Sequence, residues 1–319
     1  MRRKVAVIAL LSSVGLLVGC STGGTGEATF PVDPINIVGY TSPGSSIDLF
    51  QRQAATLLQD ELGVRLVVEN RPGGGGTDAL NFLVNQPADG YWLSGWTSSL
   101  SSVLARRLVD ATVDDLTYIC QIVTEPTALW VRDDSQWQDF DEFLEYAREN
   151  PDTIRVGSAP GVGNFNHLVL LELQDVADFS VTYVPYEGGG DLVAAVLGGE
   201  IDASLSLPSG AALDESRVLG VTGDTPFEYL PESPLFADLG YELEGGNLWR
   251  GFIAAKGLSP ERAEIIESAI RDMVETPEWK VFAEEQNYTP NLRCGEDFKD
   301  VVAQEVDSIQ TTLEKYDLF

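Results

Sequence analysis

The stretch INIVGYTSPGSSIDLFQRQAATLLQDELGVRLVV, residues 35–68, is the most informative about the architecture. It opens with an apolar run at 35–40 that is typical of a strand. After a turn of proline, glycine and serine, residues 47–62 repeat apolar side chains at helical spacing and stop at Gly63, which predicts a helix. A second apolar run at 64–68 predicts another strand. A strand, a helix and a strand in this order predict two parallel strands joined by a crossover helix.

The same alternation continues toward the C-terminus. A four-glycine loop leads into a predicted helix near 78–84, and residues 91–95 are typical of a third strand. This β-α-β-α-β order indicates an α/β fold with helices on the faces of a parallel sheet. Pro-rich loops are predicted after Thr222. Further strands are predicted at 118–123, 128–131, 154–158, 181–184, 201–205 and 218–221. Further helices are predicted at about 140–148, 165–173 and 192–197, from Ser259 onward, and at about 277–286 and 298–316.

The composition limits the kinds of partner that the protein can have. The chain has 319 residues, is 44% apolar, and carries 50 acidic and 20 basic residues, for a formal net charge of −30. This length supports one large domain or two of medium size. The strong negative charge argues against a nucleic-acid partner, which needs a positive field to meet phosphates. A salty environment and an ordinary acidic exported protein both fit the charge.

The N-terminus predicts export and a lipid anchor. Basic residues at 2–4 precede an apolar segment at 5–18 that is too short to span a bilayer. The segment ends in Gly19-Cys20 and resembles a bacterial lipobox. That resemblance implies cleavage before Cys20 and lipidation of its thiol, so that residues 1–19 are a lipoprotein signal peptide and 20–33 a linker. A plain signal peptide with a chance cysteine is the alternative. The expected location is outside the cytoplasm, tethered to the cell membrane.

Two further cysteines and one histidine are candidates for special chemistry. An oxidising compartment permits a disulfide between Cys120 and Cys294. Cys120 lies in an apolar strand-like run, however, where a buried free thiol is common, and the sequence favours that outcome. His167 is the only histidine and shares a predicted helix face with Phe165 and Leu168, which favours a packed or capping residue over a base. We therefore predict no metal site, no cofactor and no catalytic residue.

Four strand-to-helix junctions are rich in glycine, serine, threonine and asparagine and almost free of lysine and arginine. In open α/β sheets, ligands bind at the carboxyl ends of the strands. Helix N-termini at that edge offer unpaired N–H groups and a partial positive charge, and hydroxyls add donors. Such loops can hold a carboxylate without a lysine. Each junction alone is equally a good turn before a capped helix, but the four together favour a ligand site. The junctions are 43–46, 95–99, 158–164 and 186–190.

A series of short motifs then makes a family resemblance specific. From about Pro34 to the C-terminus, the chain resembles the substrate-binding proteins of tripartite tricarboxylate transporters, the Bug or TctC family. The motifs are Tyr40-Thr41-Ser42-Pro43-Gly44 with Asp48, Val67 to Gly73 with Gly75-Gly76-Thr77, Pro87 to Tyr91, Gly161 to Gly163 with His167-Leu168, Val184-Pro185-Tyr186 with Gly188 to Gly190, Leu197 to Asp202, Val221-Thr222-Gly223, Phe236 to Tyr241 and Trp249-Arg250-Gly251.

The resemblance implies a two-lobed, periplasmic-binding-protein-like fold of the Venus flytrap type, with the ligand cleft between the lobes. One lobe would comprise residues 34–122 plus 222–319, and the other residues 123–221. A monomer of this kind would capture a small carboxylate, such as a di- or tricarboxylate, and deliver it to the membrane permease subunits of the transporter. The resemblance also implies a binding protein rather than an enzyme.

Candidate ligand-binding residues follow from matching this chain to the family motifs. Asp48 is expected to fix the first helix or the hinge, because a carboxylate beside an anion would repel it. Asp202 is expected to orient loop amides or to bind ligand hydroxyls. The chain departs from the family at Ser45, at Ser98-Ser99-Leu100 and at Asn164, which affects ligand identity more than fold. The candidates are Tyr40, Pro43, Gly44, Ser45, Ser46, Thr97, Ser98, Ser158, Gly161, Asn164, Tyr186, Gly188 and Asp202.

Two other functions compete with this interpretation. A nucleotide-dependent enzyme is suggested by Gly74-x-Gly76-x-x-Ala79, but a run of four glycines satisfies such a fingerprint easily, and no Walker sequence is present. A sensor would use the same fold to present its ligand to a membrane receptor kinase. The sequence does not separate sensing from transport.

Overall fold

A computed structural model describes residues 30–159, 161–186, 188–208, 212–223, 231–243 and 247–316. The predicted signal peptide and the lipidation site at Cys20 lie outside these residues. The strands are β1 (Ile35–Gly39), β2 (Leu66–Asn70), β3 (Trp92–Thr97), β4 (Leu116–Pro126), β5 (Ala128–Arg132), β6 (Arg155–Ser158), β7 (Thr182–Pro185), β8 (Ala203–Leu205), β9 (Ser216–Val221), β10 (Asn247–Ala255) and β11 (Thr289–Cys294). The helices are α1 (Ser46–Leu62), α2 (Thr77–Val84), α3 (Ser99–Ala105), α4 (Phe140–Glu149), α5 (Phe165–Ala177), α6 (Gly189–Leu197), α7 (Ala212–Glu215), α8 (Pro260–Glu275), α9 (Pro277–Glu285) and α10 (Glu296–Lys315).

The strands form two sheets. The first has the order β11-β4-β10-β3-β1-β2, and the second has the order β7-β6-β8-β5-β9. In the first sheet β1 pairs in parallel with β2 and β3, which confirms the crossover predicted from residues 35–68. In the second sheet β6 pairs in parallel with β7 and β8. The carboxyl ends of these parallel strands therefore form one edge in each sheet.

Helices cover both faces of the first sheet. On one face, Phe50 of α1 packs in a core with side chains of α8 and α9. On the other face, Phe298 of α10 packs with side chains of α2 and α3. The second sheet has its own core, in which Phe143 of α4 and Leu170 of α5 are fully buried. Two sheets with separate cores confirm the two-lobed α/β architecture.

The chain crosses between the sheets twice. β4 stays in the first sheet to Pro126, and β5 begins in the second sheet at Ala128. On the return, Phe236 still packs in the core of the second sheet, and β10 joins the first sheet from Asn247. Residues 123–126 thus belong to the first lobe, and residues 235–243 belong to the second. The expected boundaries at 122/123 and 221/222 assign both segments to the other lobe.

Two strands occupy segments for which the sequence predicts none. β10 follows the stretch expected to be Pro-rich loop, and it runs antiparallel between β3 and β4. β11 pairs antiparallel with the other side of β4. β10 shows no alternation because it is buried over nearly its whole length, and β11 is a short segment that contains a proline and has no buried residue. The first sheet is therefore mixed, and only its β2-β1-β3 half is parallel.

The expectation of free thiols is wrong, because Cys120 and Cys294 form a disulfide. The two residues lie directly opposite each other on β4 and β11, with their Cα atoms 4.0 Å apart. Local sequence pattern carries no information about this contact, since 174 residues separate the cysteines. Among the described residues, no helix combines the length and apolar character that a bilayer crossing requires.

Candidate ligand cleft

The first-lobe loop, residues 40–46, joins β1 to α1 and leaves Pro43, Gly44 and Ser46 exposed. Ser45 is the N-cap of α1, and its hydroxyl accepts a hydrogen bond from the backbone N–H of Asp48. The Asp48 carboxylate in turn accepts a bond of 2.8 Å from the N–H of Gly44. These two bonds fix the loop and leave the backbone N–H groups of Ser46 and Ile47 without a partner inside the helix.

Asp48 has the structural role that the sequence predicts. It is buried, and it binds Arg52 at 2.9 Å and the side-chain amide of Asn70 at 2.8 Å. Burial alone would raise the pKa of Asp48. The hydrogen bonds from Arg52, Gly44 and Asn70 outweigh burial and hold that pKa below its usual value. The carboxylate therefore stays ionised and serves the loop.

Tyr40 links the first-lobe loop to the end of β3. Its ring stacks on Trp96, with centroids 4.3 Å apart, and its hydroxyl lies 2.8 Å from Thr97 Oγ1. Thr97 Oγ1 also bonds the hydroxyl and the N–H of Ser99 at the start of α3. The structure thus brings together the predicted residues Tyr40 and Thr97 at one edge.

Ser98 turns its hydroxyl away from this edge. It bonds the carboxylate of Glu305 on α10 and accepts from the backbone N–H of Trp249. Glu305 also accepts from Ser101 at 2.6 Å and from the Trp249 indole at 2.7 Å. Burial raises the pKa of Glu305 to about 7, although these donors pull it down. The Ser98 hydroxyl therefore stabilises the contact between α3, β10 and α10, and it is not available as a donor with Tyr40 and Thr97.

A buried ion pair lies under the first-lobe loop. Nη2 of Arg250 on β10 contacts both carboxylate oxygens of Glu125, at 2.8 and 2.7 Å. The same nitrogen lies 3.3 Å from the hydroxyl of Ser46. The Arg250 guanidinium also sits 5.0 Å from the ring centroid of Tyr288. In the sequence, Arg250 stands out only as part of a family motif, and nothing there predicts it near the site.

The second-lobe loop, residues 158–164, is held by a compact network; residue 160 lies outside the described residues. Asn164 is the N-cap of α5, and its carbonyl oxygen accepts from the N–H of His167. Its amide nitrogen donates to Ser158 Oγ and to the carbonyl of Gly161. Tyr183, which the sequence does not single out, donates from its hydroxyl to Gly161 at 2.7 Å and contacts Ser158 at 3.0 Å. Ser158 is fully buried, so its hydroxyl supports the loop.

The neighbouring junction joins this network through the backbone. The N–H of Tyr186 donates to the carbonyl of Ser158, and the N–H of Gly161 donates to the carbonyl of Tyr186. Gly188 is the N-cap of α6 and is partly exposed. The structure therefore gathers Ser158, Gly161, Asn164, Tyr186 and Gly188 at the carboxyl ends of β6 and β7.

His167 is a packing and loop-holding residue, as the sequence predicts. Its Nδ1 accepts a bond of 2.9 Å from the N–H of Gly163, and its ring stacks on Tyr183 with centroids 3.7 Å apart. Burial lowers the pKa of His167 to about 4. The imidazole is therefore neutral at physiological pH, with its proton on Nε2.

The two lobes approach each other beside the second-lobe loop. Gly163 has a φ of +74°, and a Cβ placed on it would lie 3.4 Å from Nη1 of Arg106, at the end of α3. The left-handed backbone favours glycine there, and the nearby guanidinium would meet a Cβ only at ordinary contact distance. Arg106 is thus a first-lobe cation that lies beside Gly163 of the second-lobe loop, and sequence pattern does not single it out.

Asp202 is not brought to this edge. It lies next to Arg155 at the amino end of the parallel strands, where its carboxylate accepts hydrogen bonds from the Arg155 backbone and side chain. Ser158 stands at the other end of the same strand. Asp202 therefore anchors the far end of β6 rather than the loops at the cleft.

A cavity of about 770 Å³ opens beside the predicted site, between α5 and α10. It shares Ser98 with the predicted residues and is otherwise lined by side chains such as Phe165, Trp249 and Glu305. The other candidate residues lie at the strand ends, where each lobe has a capped helix N-terminus beside hydroxyl groups, and ligands of open α/β sheets bind at such ends.

Comparison with known families agrees with the fold. The model of the tripartite tricarboxylate transporter family receptor, TctC, matches residues 50–318. The chain is 26% identical over 294 residues to a UPF0065 protein encoded in the gbd 5' region of Cupriavidus necator, and the match covers 91% of this chain and 89% of that protein. It is 25% identical over 317 residues to protein BugT of Bordetella pertussis, with coverage of 96% and 95%.

Solved structures show the same architecture. A TctC solute-binding protein from Polaromonas superposes with a TM-score of 0.80 at 24% identity, covering 90% of this chain and all of that one. MatC from Rhodopseudomonas palustris with bound malate gives 0.72 at 19% identity, covering 89% and 100%. A second R. palustris protein, with adipate, gives 0.75 at 22% identity, covering 89% and 97%. At these identities the likeness establishes the fold.

Proposed function

The chain belongs to the tripartite tricarboxylate transporter receptor family, and we propose that it captures a small di- or tricarboxylate between its lobes and delivers it to the membrane subunits of such a transporter. It acts as a binding protein, without catalysis or cofactor. The family and the fold are those of solute-binding proteins.

One observation carries this proposal: in each lobe, a parallel strand is followed by a loop that caps the next helix. Ser45 caps α1 in the first lobe, and Asn164 caps α5 in the second. Each cap satisfies one orphan donor and leaves other backbone N–H groups at the helix end for a ligand. Two such ends favour a small molecule with negatively charged groups.

The ligands of structural neighbours support the same chemical class. MatC was solved with malate and the second R. palustris protein with adipate, and both are dicarboxylates. Neither ligand carries over to this chain by itself. Together with the donor-rich loops, they favour a carboxylate over a sugar or a nucleotide.

Calorimetry on the purified chain from residue 21 onward tests the proposal with malate, adipate and citrate at low and at high salt. We expect one-to-one binding of at least one of them. Absence of heat and of a thermal shift with every carboxylate at both salt concentrations contradicts the proposal.

A matched pair of variants places the site. Ser46→Phe adds bulk to an exposed position at the N-terminus of α1, and we expect affinity to fall at least about tenfold because the ligand and the ring compete for the same space. Thr56→Phe adds the same bulk to an exposed position further along the helix and should leave affinity unchanged. Equal affinities for both variants would remove Ser46 from the site.

The predicted anchor belongs to the same proposal. Lipidation of Cys20 would tether the protein outside the cytoplasmic membrane, beside the permease. We expect Cys20→Ala to shift the protein from the membrane fraction to the soluble fraction, without a change in carboxylate affinity.

A further inference from the structure

Arg250 is a buried cation next to a loop whose own residues carry no cation. Its side chain is 4% exposed, and it lies on β10, the strand that re-enters the first lobe. Its partner Glu125 lies on β4, immediately before the chain crosses to the second lobe. A buried charge of this kind is costly unless it is paired, so the pair must be maintained.

Of the two charged partners, Arg250 is the one that contacts the first-lobe loop. Nη2 of Arg250 bonds Glu125 and also lies 3.3 Å from Ser46 Oγ. Within the described residues, Nε and Nη1 of Arg250 are buried and have no hydrogen-bond partner. The nitrogen that binds Glu125 is therefore also the one that contacts the first residue of α1, where the helix dipole adds partial positive charge.

We propose that Arg250 is a positioning residue that makes the cleft selective for anions. Glu125 limits this selectivity because its carboxylate partly neutralises the charge of Arg250. This inference rests on the proposed function. Arg250 acts through Ser46: the Ser46 oxygen accepts from the guanidinium, which leaves the hydroxyl proton free to be donated to a carboxylate. Since Ser46 is exposed and Arg250 is buried, the contact with the ligand is made by the serine.

The two partners of the pair have opposite expected effects, which separates an electrostatic role from a structural one. Glu125→Gln keeps the shape of the side chain and removes the neutralising charge, so affinity for malate or adipate should rise about three- to tenfold. The double variant Arg250→Met/Glu125→Gln removes both charges and should bind more weakly than the wild type. If the pair only supported the fold, both variants would bind more weakly.

Three controls accompany this comparison. Asp202→Asn removes an acid from another arginine pair, at the amino ends of the parallel strands and away from their carboxyl ends, and should leave affinity unchanged. The diamide of the ligand, which has the same shape without charge, should not distinguish the variants. Arg250→Lys keeps the charge and should bind more tightly than the double variant. Thermal unfolding confirms that each variant is folded before its affinity is compared.

The outcomes separate this inference from the proposed function. If the wild type binds no carboxylate, the proposed function fails and this inference fails with it. If the wild type binds and Glu125→Gln weakens or does not change the affinity, the selectivity role of Arg250 is overturned while the proposed function stands. Tighter binding by Glu125→Gln, with no change for Asp202→Asn, supports the role.

Discussion

His167 shows how one buried side chain can hold the second-lobe loop in place. Its ring is held between the backbone of Gly163 and the ring of Tyr183, and both of these belong to the network around the second-lobe loop. Nδ1 can accept the Gly163 N–H only while the imidazole is neutral. Protonation would therefore break a bond that holds the loop at the point where the lobes meet.

This arrangement predicts a specific pH dependence. The pKa of His167 is lowered by burial to about 4, whereas an unfolded histidine titrates near 6.5. Between these values the unfolded chain binds a proton that the folded chain does not. The contribution of His167 to the free energy of unfolding is therefore fully present above about pH 6.5, and it is lost as the pH drops toward 4, by at most about 3 kcal/mol. Denaturant unfolding of the wild type and of His167→Gln should show a shallower fall in the variant, whose amide cannot titrate.

The same prediction has a direct readout. Because the chain contains a single histidine, one imidazole resonance reports its titration by NMR. A midpoint near the ordinary value of about 6.5 in the folded protein would contradict the buried, accepting role of His167.

For single residues, the sequence is informative about caps and uninformative about side chains that arrive from distant strands. Ser45 and Asn164 are predictable because an N-cap is defined by its immediate neighbours. Arg250 reaches Ser46 across 204 positions of sequence, and local pattern carries no information about such a contact. The sequence places Ser98 and Ser158 at the correct strand ends, but burial decides where their hydroxyls point, and burial is not visible in the pattern.

Among the elements, β11 depends on a covalent link as well as on pairing. Its register with β4 is interrupted between Pro290 and Arg293, and its side chains are largely exposed. The disulfide joins it to Cys120 in the buried strand. An edge strand with so little apolar surface gains much of its stability from this link.

Removing the disulfide should therefore weaken the fold and spare the cleft. The chain-entropy relation for a separation of 174 residues gives about 5 kcal/mol, and measured losses are typically about 2–5 kcal/mol. We expect Cys120→Ser/Cys294→Ser to lose stability in this range in denaturant unfolding, with unchanged carboxylate affinity. A reductant should destabilise the wild type and leave the double variant unaffected. An unfolding curve of the wild type that a reductant does not move contradicts this prediction.

Elements are predictable where one periodicity dominates. The strand and helix of residues 35–62 follow from the sequence because each has a clear period and a clear stop. No helix is predicted at α3, because its sequence SLSSVLA is rich in serine and short. No strand is predicted at β10, because burial on both faces removes alternation and because it contains Arg250 and Gly251. Tertiary packing, rather than local preference, creates both elements.

The whole molecule carries a net charge of −30, which opposes its compact state. Most of its carboxylates are on the surface, where salt screens their mutual repulsion. We expect the melting temperature to rise between about 0.05 and 1 M NaCl, with most of the gain at the lower concentrations, where the Debye length shrinks fastest. A neutral osmolyte of equal osmolality separates screening from general exclusion. A melting temperature that falls with added NaCl contradicts this account.

The position of β10 dictates the order in which the two halves can be completed. Translation delivers β1 to β4 first, then every strand of the second sheet, and only then the strand that lies between β3 and β4. A nascent chain that stops short of Asn247 can assemble the entire second sheet but leaves a strand-wide gap in the first. The first sheet, whose strands β1 to β4 are synthesised early, can therefore be completed only after the second sheet has been synthesised. Any truncation before Asn247 removes β10 and with it Arg250.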